Sequence, residues 1–252
     1  MSKVAGKDPL LAAICHDLRA PIAAVTMGAN YVLQTTPENE ASGRSRRVLQ
    51  AILRSCKQME RIVRDFGDLS EIEGKALVLR LGVQSAGELA AIAAEGARDA
   101  ALAKNVDLAV APPEAPPEAP PEAPLLVRCD RERLLRALAH LVDNAVRFAP
   151  PDSSVAISVH DEGADVRFSV TDRGPGLDAE TRENLYDRTW HAKRAERVGA
   201  GLGLAIVRGF AEAHRGRIEI TMDPTTFSLI LPKEVSMSGP DVTLAEAESP
   251  RP

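Results

Sequence analysis

A histidine followed directly by an acid is the first feature of the sequence that points to chemistry. His16 and Asp17 lie in the segment Cys15-His-Asp-Leu-Arg-Ala-Pro21. Asp17 can keep one imidazole nitrogen protonated and leave the other free as a nucleophile. Pro21 removes a helical hydrogen bond one turn later, at a cost of roughly 3 kcal/mol, which favours a use for the distortion. A surface histidine beside an accidental acid, with a plain kink, explains these residues equally well.

A second group of polar residues follows the spacing of one helix face. His140, Asn144 and Arg147 are four and three residues apart. The Asn144 amide oxygen suits Mg²⁺ when phosphates supply the remaining ligands, and Arg147 can contact those phosphates. The apolar residues predicted to face the core are Leu134, Leu138, Leu141, Ala145 and Phe148. The chain has no G-x-x-x-x-G-K-[ST] segment, so a Walker-type site is not supported.

Two glycine-rich segments follow in an order that favours a nucleotide site. Asp172-Arg-Gly-Pro-Gly176 comes directly after a predicted strand. The Asp172 carboxylate can accept a hydrogen bond from an exocyclic amine such as that of adenine, and the glycines let a ligand approach the backbone. Gly199-Ala-Gly-Leu-Gly-Leu204 opens a predicted helix, whose free N–H groups would face an anion. Each motif is weak alone, and their order and spacing carry the prediction.

The histidine must be positioned by a helical hairpin. An apolar stripe with steps of four and three residues runs from Leu11 to Val32, and a second runs from Leu49 to Phe66, with a turn at about Thr35–Gly43. His16 directly follows a stripe residue, so its side chain should point about 100° away from the stripe, toward solvent. Two helices cannot cover their own apolar stripes, which predicts a homodimer with a four-helix bundle.

The glycine-rich segments must be positioned by a mixed domain that follows. We predict strands at 76–80, 106–110, 125–128, 155–159, 166–170, 217–221 and 226–231, and helices at 86–104, 131–148 and 202–214. Asp130 is the predicted N-cap of the second of these helices. The fold class is therefore α+β: a dimeric helical hairpin followed by an α/β sandwich. The predicted domains are residues 1–74, residues 75–232 and a disordered tail at 233–252.

The repeat APPEAPPEAPPEAP interrupts the mixed domain at residues 111–124. Its proline spacing predicts an extended polyproline II segment that cannot pack a core. We interpret it as a solvated insertion between two strands, in preference to a docking site for a proline-binding partner.

Composition limits the remaining classes of function. The chain has 252 residues and a formal net charge of −5, which argues against wrapping nucleic acid or binding an anionic membrane. Aromatic residues make up only 3%, so aliphatic side chains must build the core, which favours helices over a large β-sandwich. Cys15, Cys56 and Cys129 form no C-x-x-C pair, so buried thiols in a reducing cytoplasm are the simplest interpretation. No membrane segment is expected.

Taken together, these residues resemble the transmitter region of a bacterial sensor histidine kinase, from about Leu10 to Pro232. His16 to Pro21 resembles the phosphoacceptor box, and Leu138 to Phe148 the N box. The G1, F and G2 boxes are matched in chain order, and a weakened last glycine box follows them. The segments are Asp172 to Gly176, Leu185 to Trp190, Gly199 to Leu204 and Pro224 to Phe227.

The resemblance implies an ATP-dependent protein-histidine kinase with a gyrase-like ATP-binding domain. His16 would attack the γ-phosphate of ATP, with Asp17 as general base or orienting acid. Asn144 would bind Mg²⁺, and Arg147 and Arg188 would neutralise phosphate charge. The implied nucleotide-binding set is His140, Asn144, Arg147, Phe148, Asp172, Gly174, Gly176, Arg188, Gly199, Gly201, Leu202, Gly203 and Thr225.

The same resemblance implies a mobile lid between Gly176 and Gly199. Its basic residues would be either phosphate contacts or a solvated face; they are His191, Lys193, Arg194 and Arg197. The phosphoryl group would pass to an aspartate of a response-regulator receiver domain. Because no sensor domain precedes Leu10, input is expected from a separate sensor protein unless the chain is truncated.

Three positions depart from the family pattern. His140 replaces the usual first asparagine of the N box, which makes the metal geometry less certain. Thr189 replaces a phenylalanine of the F box, so that lid packing should be looser. Ala20 replaces the threonine or asparagine that orients water for dephosphorylation, which predicts weak phosphatase activity. These departures keep an alternative open, a degenerate kinase acting as a dimeric ATP-binding scaffold; a gyrase-like ATPase or serine kinase would leave His16 and Pro21 unexplained.

Overall fold

The computed structural model describes residues 9–37, 43–111, 124–185, 202–234 and 242–243, with the backbone alone for 9–17 and 242–243. The described chain forms two compact units, Met1–Ala76 and Leu77–Pro252. Within the described residues, no helix is both long and apolar enough to cross a bilayer. The predicted α+β class is confirmed: a helical hairpin is followed by an α/β unit.

The first unit is a hairpin of two long helices, α1 (Pro9–Thr35) and α2 (Gly43–Glu73). Helix α1 continues through Pro21. Ile22 packs with Cys56 and Val63, and Phe66 covers this small cluster. The cluster joins the two stripes that the four-and-three spacing predicted.

The second unit begins with three strands and two helices. They are β1 (Leu79–Ser85), α3 (Ala86–Lys104), β2 (Asp107–Val110), β3 (Leu126–Asp130) and α4 (Arg131–Phe148). The bounds of α3 are those predicted, and Ser85 caps it by accepting a hydrogen bond from the Glu88 N–H. The first strand was predicted at 76–80 and begins three residues later, because Leu79 and Leu81 are its buried positions.

The rest of the unit completes the larger sheet. Its elements are β4 (Ser154–Glu162), β5 (Asp165–Asp172), α5 (Ala179–Glu183), α6 (Gly203–Ala213), β6 (Arg217–Thr221) and β7 (Thr225–Pro232). The five strands lie in the order β2-β4-β5-β7-β6, and β2 pairs with β4 in parallel while the other pairs are antiparallel. A smaller sheet has the order β3-β1-β8, where β8 is Val242–Thr243.

One face of the larger sheet carries the core. Val159, Phe168 and Leu229 are aligned across three strands and are buried. Helices α3, α4 and α6 pack on the unit's sheet and bury Leu138, Ile206 and other aliphatic side chains. The core is mainly aliphatic, as the 3% aromatic content requires, with Phe168 and Phe210 as its largest buried side chains.

Two of the three cysteines have described side chains, and both are buried, as predicted. Burial and the neighbouring Asp130 raise the pKa of the Cys129 thiol to about 12, so this group is an inert core residue. The proline-rich insertion lies outside the described residues at 112–123. The predicted disordered tail also lies mostly outside them, but Val242–Thr243 pairs with Leu79–Arg80.

Candidate nucleotide site

Helix α4 carries the first part of the site at its C-terminal end. The Asp130 carboxylate caps its start and accepts hydrogen bonds from the Glu132 and Arg133 N–H groups, each at 3.1 Å. At the other end, Asn144, Arg147 and Phe148 line one cavity. The prediction that Phe148 faces the core is wrong: its side chain is 43% exposed, and the Arg147 guanidinium lies 5.3 Å from its ring centroid. The apolar spacing placed Phe148 on the buried face, but the helix ends there and opens onto the cavity.

The second part of the site is the turn that follows β5. Asp172 is only 5% exposed, and its Oδ1 accepts a hydrogen bond from the Gly174 N–H at 2.7 Å. Burial raises the pKa of the Asp172 carboxyl above its usual value, and the Gly174 hydrogen bond partly offsets this. Gly176 has a φ of +78°, which few other residues adopt. The turn therefore presents a buried carboxylate at the cavity wall.

These parts meet around a cavity of about 380 Å³. Asp172 and Gly176 form one wall, and the C-terminal end of α4 forms another. Gly203 and Leu204 at the start of α6 and Thr225 and Phe227 of β7 complete the described lining. Seven residues of the sequence-predicted set thus share one cavity: Asn144, Arg147, Phe148, Asp172, Gly176, Gly203 and Thr225.

Sequence reasoning missed one wall of the cavity. Helix α5 lies in the segment predicted as a loop, and Asp178, Thr181 and Leu185 line the site there. The Asp178 side chain accepts a hydrogen bond from the Thr181 N–H at 2.6 Å, which caps this short helix. An aspartate three residues before a threonine, with Glu180 in the first turn, was the available signal.

His140 does not lie where its spacing with Asn144 placed it. Its side chain is 6% exposed and does not line the described part of the cavity. A Cβ on Gly203 would lie 3.0 Å from the His140 Nδ1, so the glycine lets α6 approach this ring closely. The structure therefore corrects the expectation of one polar helix face: His140 packs between two helices while Asn144 reaches the cavity.

Several predicted residues lie outside the described part. They are Arg188, Thr189, Gly199, Gly201 and the basic residues of the lid. Leu202 is described, and it is buried at the N-cap position of α6. Gly174 supports the Asp172 turn without lining the cavity. The backbones of His16 and Asp17 lie within α1, and their side chains are not described.

The donor groups in the cavity fit a nucleotide with a magnesium ion. Among the described residues, no cluster of three or more histidine, cysteine, aspartate or glutamate side chains could hold a metal. Asn144 supplies a neutral oxygen donor instead, and Mg²⁺ commonly combines such a ligand with phosphate oxygens and water. Gly176 lines the cavity, and because a Cβ there would lie 3.1 Å from the Met222 Cε, the glycine lets its turn pack closely against Met222.

Two family models match the chain, one for each unit. The "His Kinase A (phospho-acceptor) domain" matches residues 7–75. The "Histidine kinase-, DNA gyrase B-, and HSP90-like ATPase" matches residues 129–235.

Known proteins match the chain across both of its units. The sensor-like histidine kinase SenX3 of Mycobacterium tuberculosis is 30% identical over 98% of this chain and 58% of its own length. The crystal structure of full-length ShkA in complex with AMPPNP has a TM-score of 0.68 and 26% identity, covering 90% of this chain and 46% of that one. The crystal structure of the histidine kinase ThkA in complex with the response regulator TrrA shares the fold, with a TM-score of 0.56 and 22% identity over 90% of this chain and 62% of that one.

The two matched domains, in this order, define the transmitter region of a histidine kinase. The chain belongs to the histidine kinase family of two-component systems. Autophosphorylation and phosphotransfer are the activities of that family. The chain spans a little over half the length of SenX3, at 58%.

Proposed function

We propose that this chain is an ATP-dependent protein-histidine kinase that phosphorylates His16 and passes the phosphoryl group to an aspartate of a response regulator. The observation that carries the proposal is the shared cavity, which joins Asn144 of α4 to Asp172 of the glycine turn. In domain terms, residues 1–74 would serve dimerisation and phosphoacceptance, residues 75–232 nucleotide binding, and residues 233–252 would form a tail.

Different walls of the cavity would contact different parts of ATP. The free oxygen of the Asp172 carboxylate accepts a hydrogen bond from the adenine amino group, since Oδ1 is already held by Gly174. Thr225 and Phe148 would border the base and sugar, and Gly176 lines the same cavity. Arg147 would neutralise phosphate charge, and Leu202 and Gly203 would shape the phosphate side at the start of α6. The family resemblance extends the first role to Arg188 and the second to Gly199 and Gly201.

Asn144 would hold Mg²⁺ through its amide oxygen. The ion, when bound, would supply charge neutralisation at the phosphate oxygens. We leave His140 out of the ligand set, because its side chain is buried against Gly203 and does not itself line the described part of the cavity.

His16 provides the nucleophile. One imidazole nitrogen forms a bond to the γ-phosphorus as the bond to the β,γ-bridging oxygen breaks, and ADP leaves with that electron pair. Asp17 accepts or orients the proton on the ring, so that the attacking nitrogen presents its lone pair. The phosphoryl group then moves from this nitrogen to a carboxylate oxygen of the regulator, which restores the neutral histidine.

A homodimer fits the exposed apolar side chains of the hairpin. Val48, Ile52, Met59 and Ile62 follow each other along α2 at helical spacing and are all exposed. Leu18, Val25 and Val32 do the same on α1. A second hairpin would bury both rows in a four-helix bundle.

The proposed kinase would act together with two kinds of partner protein. A receiver domain is the expected phosphoryl acceptor, in keeping with the crystal structure of ThkA in complex with the response regulator TrrA. Ala20 in place of a polar residue predicts weak phosphatase activity toward that partner. Input would come from a separate sensor protein that docks on the bundle.

Incubation of the purified chain with γ-labelled ATP and Mg²⁺ tests the proposal. We expect acid-labile, base-stable label on the wild type and its complete loss in His16→Gln. His160→Gln is the matched control, since His160 lies on β4 beside Ser158 and outside the described cavity lining. ATP binding without label would refute the kinase and support the alternative, a degenerate kinase that acts as a dimeric scaffold.

A further inference from the structure

The C-terminal end of α4 lacks the backbone donors that usually finish a helix. The last regular bond runs from the Ala149 N–H to the Ala145 carbonyl, at 2.8 Å. The next two carbonyls, of Val146 and Arg147, would pair with the amides four residues on, but those residues are Pro150 and Pro151. Because proline has no N–H, the sequence itself removes both partners.

Lys104 supplies the missing donors from another helix. Its ammonium donates to the Val146 carbonyl at 3.1 Å and also to the Arg147 carbonyl. The positive charge lies at the negative end of the α4 dipole, which favours the contact further. A single side chain therefore caps the last turn of the helix that carries Asn144, Arg147 and Phe148.

Lys104 is held in place on both sides of this contact. It is the last residue of α3, and the following Asn105 adopts the left-handed conformation that ends the helix. The Asn105 carbonyl accepts a hydrogen bond from the Asp152 N–H at 2.9 Å, and the Asn105 side chain donates to the Asp152 carboxylate. The end of α3 is thus tied to the segment that leaves α4.

The capped turn also supports the Asp172 turn. A Cβ on Gly174 would lie 3.0 Å from the Phe148 carbonyl oxygen and 2.7 Å from the Asp172 Oδ1. This close packing means that a shift of the α4 end would displace both the Phe148 backbone and the turn that orients Asp172. Two walls of the cavity therefore depend on one helix end.

We propose that Lys104 is a positioning residue for nucleotide binding, which sets the C-terminal turn of α4 against the Asp172 turn. The proposal rests on the proposed nucleotide function of the cavity. Lys104 does not itself line the described part of the cavity, so it acts through the backbone of Val146 and Arg147.

Calorimetric titration of the full chain with ADP and Mg²⁺ tests this role. We expect Lys104→Met, which keeps the aliphatic stem, to raise the dissociation constant about tenfold, because charged hydrogen bonds to two carbonyls are lost. Lys104→Arg should return it to within about threefold of wild type, since guanidinium also donates to carbonyl oxygens. Arg98→Met is the matched control on α3, because Arg98 pairs with an exposed Glu95 and should leave the affinity unchanged.

The melting temperature measured without nucleotide separates positioning from plain stability. A lysine with only a structural role would lower the melting temperature and leave the dissociation constant unchanged far below the transition. That result, or a loss that Lys104→Arg does not rescue, overturns the proposal. If Lys104→Met does not fold, Lys104→Gln replaces it, with an expected loss of about fivefold; unchanged affinity again overturns the role.

Titration of the wild type separates a test of the cavity's nucleotide function from a test of the positioning role of Lys104. If the wild type binds no ADP, the nucleotide function of the cavity is refuted, and with it the role of Lys104. If the wild type binds and Lys104→Met binds equally well, only the positioning role is refuted.

Discussion

The hairpin and the α/β unit differ in how completely each buries its own apolar residues. In the hairpin, the buried apolar residues among those described are few: Ile22, Ala29, Cys56, Val63 and Leu69. Its exposed large apolar residues are more numerous: Leu18, Val25, Met27, Tyr31, Val32, Val48, Ile52, Met59 and Ile62. By contrast, the largest fully buried side chains of the described chain all belong to the α/β unit.

This contrast follows from geometry. Two helices touch along one line, so each leaves an apolar flank uncovered. A sheet covered by three helices has a closed interior, where even the polar Asp130 and His214 are buried and paired. We infer that the hairpin completes its core by association, whereas the α/β unit folds around a core of its own and, in its described part, opens at the cavity that Asn144 and Asp172 line.

The largest expected effect comes from charging the open flank of the hairpin. Ile52→Glu would place one carboxylate from each copy in the proposed dimer interface, where it cannot be solvated. We expect the dimer dissociation constant to rise by about a thousandfold. Sedimentation analysis would then show a monomer at concentrations where the wild type is dimeric.

Arg54→Glu is the matched control for this change. It also adds a carboxylate to α2, but at an exposed position about 160° around the helix from Cys56. It should leave the mass of the assembly unchanged. An Ile52→Glu protein that remains a dimer at all concentrations would refute this interface.

The second largest effect is expected at the nucleotide cavity of the α/β unit. Asp172→Asn keeps an oxygen for the Gly174 N–H but replaces the second acceptor with an NH₂ group, which faces the adenine amine donor to donor. We expect the ADP dissociation constant to rise on the order of 100-fold. Calorimetric titration with ADP and Mg²⁺ measures it.

The same variant should not destabilise the empty protein at neutral pH. Because burial raises the pKa of Asp172 in the folded state, its ionisation opposes folding above that pKa. A neutral amide removes this cost, so the melting temperature without nucleotide should stay equal or rise. A fall in melting temperature together with unchanged ADP affinity would show that Asp172 is a structural residue and no ligand group.

Much of this arrangement was readable from the sequence. Helical spacing predicted both hairpin helices, and α3 was predicted with its observed bounds, Ala86–Lys104. The strands predicted at 155–159 and 166–170 form the β4–β5 hairpin, whose register pairs Glu162 with Asp165. These are local patterns, in which each residue's neighbours along the chain determine its environment.

The failures occurred where distant segments decide the environment. Phe148 fits an apolar helix face, and only the Asp172 turn and β7 make its surroundings a cavity. His140 shares a face with Asn144 by spacing, but α6 covers it through Gly203. The Lys104 cap was also invisible, because residues 42 and 43 positions apart form it. Pro150 and Pro151 showed that two carbonyls needed a donor without showing which residue provides it.

The smallest expected effect concerns a polar link inside the closed core of the α/β unit. His214 is buried at the end of α6, and its Nδ1 donates to the Phe210 carbonyl at 2.7 Å. Its Nε2 accepts a hydrogen bond from the Asp130 N–H at 3.0 Å, which ties α6 to the start of α4. We expect His214→Gln to lower the free energy of unfolding by about 1–3 kcal/mol, because a glutamine cannot reproduce both bonds in this geometry.

The pH dependence of this loss of unfolding free energy tests whether the neutral His214 ring provides it. Burial lowers the pKa of His214 below its usual 6.5, so the folded protein keeps the ring neutral where the unfolded chain binds a proton. The unfolded state then holds more protons, and the stability contributed by His214 falls as the pH drops below about 6.5. Denaturant unfolding of the wild type and His214→Gln over this range should therefore show the difference between them shrinking toward acid. His160→Gln, a histidine substitution on β4, is the matched control for this comparison. A difference between wild type and His214→Gln that stays constant across the range would mean that His214 titrates equally in both states, and that its bond to Asp130 does not hold the two helices together.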